Sequence, residues 1–142
     1  MIEINDKKVK LKIWDMTGKE NFINLLINYF KEANGILFIY DVAERTTFKN
    51  LNSWFNEIQK YANYNICKML IANCDLENQR KVSLKEGEKF ANEKNMIYKE
   101  VSPKNNINIT ETFELMAKNM INIKEKEKEE IKFDQLMKYV SF

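Results

Sequence analysis

The chain has 142 residues, 44% hydrophobic and 31% charged, which suits a single soluble globular domain with a sizeable core. Its net charge is only +2 and its cations are almost all lysine, Arg45 and Arg80 being the two arginines, so nucleic acid is not an expected partner. No histidine is present, which excludes histidine acid–base chemistry and histidine metal ligation, and Cys67 and Cys74 alone cannot complete a four-ligand zinc site.

Taken in chain order, Ile2 and Ile4 alternate with polar neighbours and lead into Asn5-Asp6, a turn signal. Val9, Leu11 and Ile13 resume the alternation, so residues 1–14 are expected to form a β-hairpin. Phe22, Leu25, Leu26, Tyr29 and Phe30 fall at helical spacing. Gly35 to Asp41 is a continuous apolar run ending in a carboxylate, the pattern of a strand buried on both faces. Phe48, Leu51, Phe55, Ile58 and Ala62 recur three or four apart, as in an amphipathic helix, and Ile66 to Ala72 reads as another apolar strand. Within that helix the Trp54 and Phe55 pair reads as core and helix surface, a ligand box being the alternative. Ser83 with Glu86 forms a capping-box pattern ahead of a helix through Phe90 and Ala91. Met96 to Val101 is a further strand. Asn108 with Glu111 suggests a second capping box, opening a helix through Phe113, Met116, Met120 and Ile123.

Strands alternating with helices give an α/β class and a doubly wound sheet. Lys124 to Glu130 is all charge, with opposite signs recurring so that it can continue the last helix in solvent. The expected organisation is one domain over 1–123, then a charged linker and short amphipathic tail over 124–142. The tail, with Phe133, Leu136, Met137 and Val140, is expected to pack on its own domain; a partner-docking or membrane-surface helix is the alternative. The longest apolar run is far below the ~20 residues of a membrane span, and there is no signal-peptide pattern. A cytoplasmic protein, peripheral to endomembranes at most, is the expectation.

Four segments carry a resemblance to one family. Trp14-Asp15-Met16-Thr17-Gly18-Lys19-Glu20 is similar to the WDTAGQE run of Rab-type small GTPases, and IEINDKKVKLKIWD to the hairpin before it. GILFIYDVAERTTFKNLNSWFNEIQKYA resembles the family's fourth strand and following helix. MLIANCDL falls where LVGNKCDL would lie, and EVSPKNNINITETFELMAK where an ETSAKNATNVEETF-type sequence would lie. The resemblance covers residues 2–123 and implies a P-loop-NTPase-like small GTPase fold lacking the first strand, phosphate loop and first helix. No GxxxxGKS or GxxxxGKT run occurs in the chain. In this family the first strand lies between the strand ending at Trp14 and the strand from Gly35 to Asp41. Its loss would leave either a direct pairing of those two or an open edge that invites self-association.

By the same resemblance, GTP or GDP and Mg2+ are the implied ligands. Asp15 holds the indirect magnesium position and Gly18 the γ-phosphate position. Asp75 holds the carboxylate that accepts the guanine N1 and N2 hydrogens, and Ser102 and Lys104 two positions of the loop beside the base. Ala72 and Asn73 replace the family's Asn and Lys, Pro103 replaces an Ala whose amide meets the guanine carbonyl, and Lys19 stands at the catalytic Gln. Trp14 and Tyr29 fall where Rabs carry exposed aromatics that meet effectors; packing in the core is the other reading. The chain ends without a cysteine, so the family's prenyl anchor is not expected in this form. The resemblance implies vesicle-mediated transport, with Rab regulators or effectors as partners. The favoured form is deficient in GTP binding and hydrolysis. The alternatives are an active, slowly hydrolysing GTPase, given an upstream P-loop, and a nucleotide-independent binding module.

Overall fold

The computed structural model describes residues 1–16 and 23–138, the side chains of 23–26 and 130–138 excepted. Strands β1 (Ile2–Ile4) and β2 (Lys7–Val9) pair antiparallel, with Ile2 opposite Val9 and Ile4 opposite Lys7. Asn5 and Asp6 join them with φ of 50° and 61°. Two successive left-handed residues make the tight turn whose twist matches a hairpin, and short amide and carboxylate side chains tolerate it best. The hairpin is shorter than its alternation predicts. In this register Lys10 lies opposite Met1, and residues 10–16 have no partner strand among the described residues. Alternation without a ladder does not make a strand, so Trp14 and Asp15 sit on irregular backbone.

After α1 (Ile23–Glu32), three parallel strands form the main sheet: β3 (Gly35–Asp41), β4 (Cys67–Asn73) and β5 (Ile97–Val101), in the order β3-β4-β5. β3 and β4 run in register from Gly35–Cys67 to Asp41–Asn73, and β4 meets β5 from Met69–Ile97 to Asn73–Val101. Central β4 is covered on both faces, with Met69, Leu70 and Ala72 fully buried. Helices α2 (Arg45–Gln59) and α3 (Leu84–Glu93) cover one face, where Ile36, Phe38 and Tyr40 meet Leu51, Phe55, Ile58 and Ala91. Helix α4 (Ile109–Lys138) covers the other, placing Met116 against Cys67, Met69 and Ile71. Helices on both faces of a parallel sheet define the doubly wound class.

Two expectations need correction here. β3 is not buried on both faces: Ile36, Phe38 and Tyr40 are buried, but Ile39 is 61% exposed. It is the edge strand, and α4 lies against it at Gly35, where an added Cβ would collide with Met116 and Met120, while leaving Ile39 uncovered. β2 and β3 do not pair with each other, so the hairpin and the main sheet are separate. The hairpin rests instead on α4, through buried Ile4 and a Lys7–Glu125 contact of 3.2 Å. The second correction concerns Asn108, which has φ 58° and donates its side-chain amide to the Glu100 carbonyl at 2.8 Å. It therefore tethers β5 to the start of α4 and does not adopt the extended backbone of a capping box. The Ser83–Glu86 capping box is formed in both directions.

α4 continues through the charged run as far as Lys138; the placing of the tail's apolar side chains lies outside the described residues. No helix among the described residues is long and apolar enough to cross a membrane.

Candidate functional site

In an open parallel sheet the residues just past the carboxyl ends of the strands are free to meet ligands, because the ladder no longer uses their backbone. β4 and β5 end together at Asn73 and Val101, and a last backbone bond from Cys74 N to Val101 O (2.8 Å) closes the ladder. Asp75 and Ser102 follow immediately. Ser102 Oγ donates to Asp75 Oδ1 at 2.6 Å, and the Lys104 amide donates to the same oxygen at 3.0 Å. These two donors, Ser102 first, hold the Asp75 carboxyl below the usual carboxylate range. Both of these donors fall on Oδ1, and Asp75 is half-buried.

The loop after β5 supports this geometry. Ser102 is buried and exchanges backbone bonds with Ile107, Ser102 N to Ile107 O at 3.1 Å and Ile107 N to Ser102 O at 2.9 Å. Asn105 donates to Ser102 Oγ from its side-chain amide at 2.9 Å and from its backbone at 3.3 Å. A left-handed Asn106, φ 52°, lets the loop fold back. Asp75, Ser102 and the Lys104 amide are thus brought into one corner.

Other positions of the corner are closed. Ala72 is fully buried within the apolar cluster under α2 and α3 and offers no polar atom. The Asn73 side-chain oxygen accepts the Asp75 amide at 3.0 Å and shapes the turn. Pro103 has no amide hydrogen to donate. The corner thus offers a carboxylate at Asp75 but no side-chain hydrogen-bond donor at Ala72 and no amide donor at Pro103.

The remaining candidates lie elsewhere. Asp15 is exposed on irregular backbone, and Gly18 and Lys19 lie outside the described residues. Trp14 is 51% and Tyr29 39% exposed; their ring centroids are 4.5 Å apart, tilted at 52°, and Lys12 Nζ lies 4.6 Å from the Trp14 ring centre. The core reading of this pair is therefore replaced by a surface aromatic pair beside a cation, with exposed Ile13 next to it. Trp54 packs along the edge of the core and Phe55 is buried within it.

One group was missed by reading the sequence. Cys74, Glu77 and Glu100 are the three-membered set of Cys or carboxylate ligand atoms within metal-binding distance among the described residues. Arg80 occupies that centre. It donates Nε and Nη2 to Glu77 (2.9 and 2.5 Å), Nη1 and Nη2 to Glu100 (both 3.0 Å), and Nη2 to Cys74 Sγ (3.4 Å). With a guanidinium in place the cluster does not fit a metal. Burial, with Glu100 adding to it, pushes the Cys74 thiol up to about 12, so it is an unreactive thiol. The available signal was scarcity, since a lysine-rich chain with two arginines places them where a planar fork is needed. Arg45 does the same, bridging both oxygens of Glu86 at 2.8 and 3.1 Å.

Comparison with known proteins places these features in context. The family model described as "Ras family" matches residues 1–122. Over 118 residues the chain is 40% identical to the GTP-binding protein ypt2 of Schizosaccharomyces pombe. The aligned part is 82% of this chain and 59% of that relative, so the chain spans rather less than two thirds of the relative's length.

Proposed function

Because the chain belongs to the Ras family, we propose that it is a Rab-type member whose residues serve vesicle-mediated transport through protein contacts, with guanine nucleotide held only weakly. The observation that carries this reading is the half-built base corner. Asp75 keeps a pre-positioned carboxylate, while Ala72 is packed in the core, the Asn73 side-chain oxygen holds the turn and Pro103 has no amide donor. Two missing neutral hydrogen bonds are worth about 1–3 kcal/mol together, or roughly 10- to 100-fold in affinity. The 142 residues also carry no GxxxxGKS or GxxxxGKT run to cradle phosphates. Lys19, at the position of the catalytic Gln, has donors but no acceptor with which to orient a water. The Trp14–Tyr29 pair is the contact surface for a regulator or effector in this reading, being large, rigid, half-exposed aromatic area.

The second reading, an active guanine-nucleotide binder, is favoured by the intact Asp75–Ser102–Lys104 geometry. Denaturing the purified 142-residue protein and assaying the supernatant for released nucleotide separates the two, backed by titration with GDP, ADP and guanosine. The expected result is no co-purified nucleotide, a weak preference for GDP over ADP that Asp75→Asn removes, and GDP bound little better than guanosine. Near-stoichiometric GDP in the supernatant would overturn the proposal.

A further inference from the structure

We propose that Arg80 is the positioning residue of the Asp75 corner, clasping the segment that leaves Asp75 to the strand that delivers Ser102. The inference rests on the reading of that corner as a base-recognition site. Glu77 lies two residues after Asp75, and Glu100 two residues before Ser102, so the two carboxylates mark the two arms of the corner. Arg80 bonds both at once: Nε and Nη2 to Glu77, Nη1 and Nη2 to Glu100, with Nη1 also donating to the Val82 carbonyl at 3.1 Å. Nη2 further touches Sγ of Cys74, the residue directly before Asp75, at 3.4 Å. Only a five-donor planar fork can make this set; an ammonium cannot.

The two limbs are unequal. The Glu77 side chain is 61% exposed, where an ion pair contributes little, whereas Arg80 and Glu100 are 19% and 26% exposed. The Glu100 limb is also braced. Tyr98 Oη donates to Glu100 Oε1 at 2.8 Å and lies 3.2 Å from Tyr40 Oη, and the Glu100 carbonyl is tied by Asn108. The backbone ladder stops at the Cys74–Val101 bond, one residue short of both Asp75 and Ser102. Past that bond the arms are tied by side chains: the Ser102–Asp75 bond itself, and the Arg80 fork, which fastens Glu77 on the departing arm to Glu100, the last side chain but one of the paired part of β5. In the proposal the fork sets the separation over which Ser102 Oγ and Lys104 N reach one carboxylate oxygen.

The test uses the 142-residue protein without nucleotide, so it is independent of whether the base reading holds. Amide hydrogen exchange is followed by NMR at Lys104, whose N–H reports the corner, and at Leu70 in the centre of β4. Arg80→Met should speed Lys104 exchange about tenfold, the loss expected for one charge-assisted tie, and leave Leu70 unchanged. The Asp75 carboxyl should move back up toward the ordinary range in the same variant. Glu100→Gln should reproduce the effect, the double variant should add nothing, and Arg80→Lys should not restore it. Arg45→Met, which breaks the other forked bridge, should leave Lys104 unaffected. Unchanged Lys104 exchange in Arg80→Met would mean the ladder alone sets the corner, and equal acceleration at Leu70 would mean a general stabilising role; either overturns the proposal. If Arg80→Met does not fold, Glu100→Gln and Arg80→Lys are judged by the same two amides. Failure of the base reading shows separately, as an Asp75→Asn variant whose GDP and ADP affinities do not change relative to each other.

Discussion

Gly87→Ala sets a local preference against a packing constraint, and the structure decides the sign. Gly87 lies within α3, where replacing glycine by alanine stabilises a helix by about 1 kcal/mol on propensity alone. Here the glycine is buried against two tyrosines. An added Cβ would stand 2.5 Å from Tyr40 Oη and 2.7 Å from both Cε2 and Oη of Tyr98. Neither ring can swing away freely. Tyr40 is 1% exposed and packs edge-on against Phe48 at 5.0 Å, and Tyr98 Oη is committed to Glu100. Overpacking of this kind costs about 1–3 kcal/mol, and disturbing the Tyr40–Tyr98–Glu100 chain about 1 kcal/mol for each bond lost. The net expectation is destabilisation by about 1–3 kcal/mol. In an equilibrium urea titration with a slope of about 1.5 kcal/mol/M, the midpoint should fall by about 1–2 M. Adding Tyr98→Phe should recover part of the loss, because it removes one of the three close atoms. A midpoint that rises, as propensity alone demands, would refute the reasoning.

The pH dependence of stability should carry the mark of Arg45. Its guanidinium, then the Ser83 backbone and hydroxyl donors, hold the Glu86 carboxyl down from the ordinary 4.5 to about 2. The depressed value means that the stabilisation is full above pH 4.5 and drains as pH falls toward 2. Arg45→Met should flatten that limb in urea midpoints measured from about pH 5 to 2, and an unchanged slope would count against the bridge. Trp14→Ala should shift unfolding stability by no more than about 0.5 kcal/mol, because the ring is half-exposed. A loss of about 3–5 kcal/mol in thermal or urea unfolding would instead restore the core reading of Trp14.

How much of this could be read from residues alone follows from what each signal depends on. α2 and β4 were legible because their patterns are local: Leu51, Phe55 and Ile58 repeat at the helical period, and the run up to Ala72 is apolar but for Lys68. The Ser83–Glu86 box was legible because both of its hydrogen bonds close within four residues. β2 was overextended because alternation says that one face is apolar, not that a partner strand is present. β3 was judged buried on both faces because a run of apolar residues carries no record of which neighbours cover it, and Ile39 is left open at the sheet edge. Asn108 misled for a related reason. Its side chain had a non-local acceptor in Glu100, eight residues back, which outcompeted the local cap. At the candidate site, Asp75, Ser102 and Lys104 came from motif positions and do meet. Arg80 was invisible, because its partners Glu77 and Glu100 only converge once β4 and β5 are paired.

The two ends of the inferred nucleotide path are built with very different support. The Asp75 corner hangs from the best-buried part of the sheet, with Met69, Leu70 and Ala72 beneath it, a closed ladder, and a two-carboxylate clasp around Arg80. Its Asp75 Oδ1, Ser102 and Lys104 groups are already paired to one another, so on the proposed reading a base meeting Asp75 has little ordering left to do. Among the described residues Asp15 belongs to no ladder and stands beside an exposed Ile13. On the proposed reading guanine is met at the supported corner, and phosphates should add little to guanosine binding. On that reading the aromatic pair at Trp14 and Tyr29 serves protein contacts without reference to nucleotide, since nothing in the described residues links its position to Asp75.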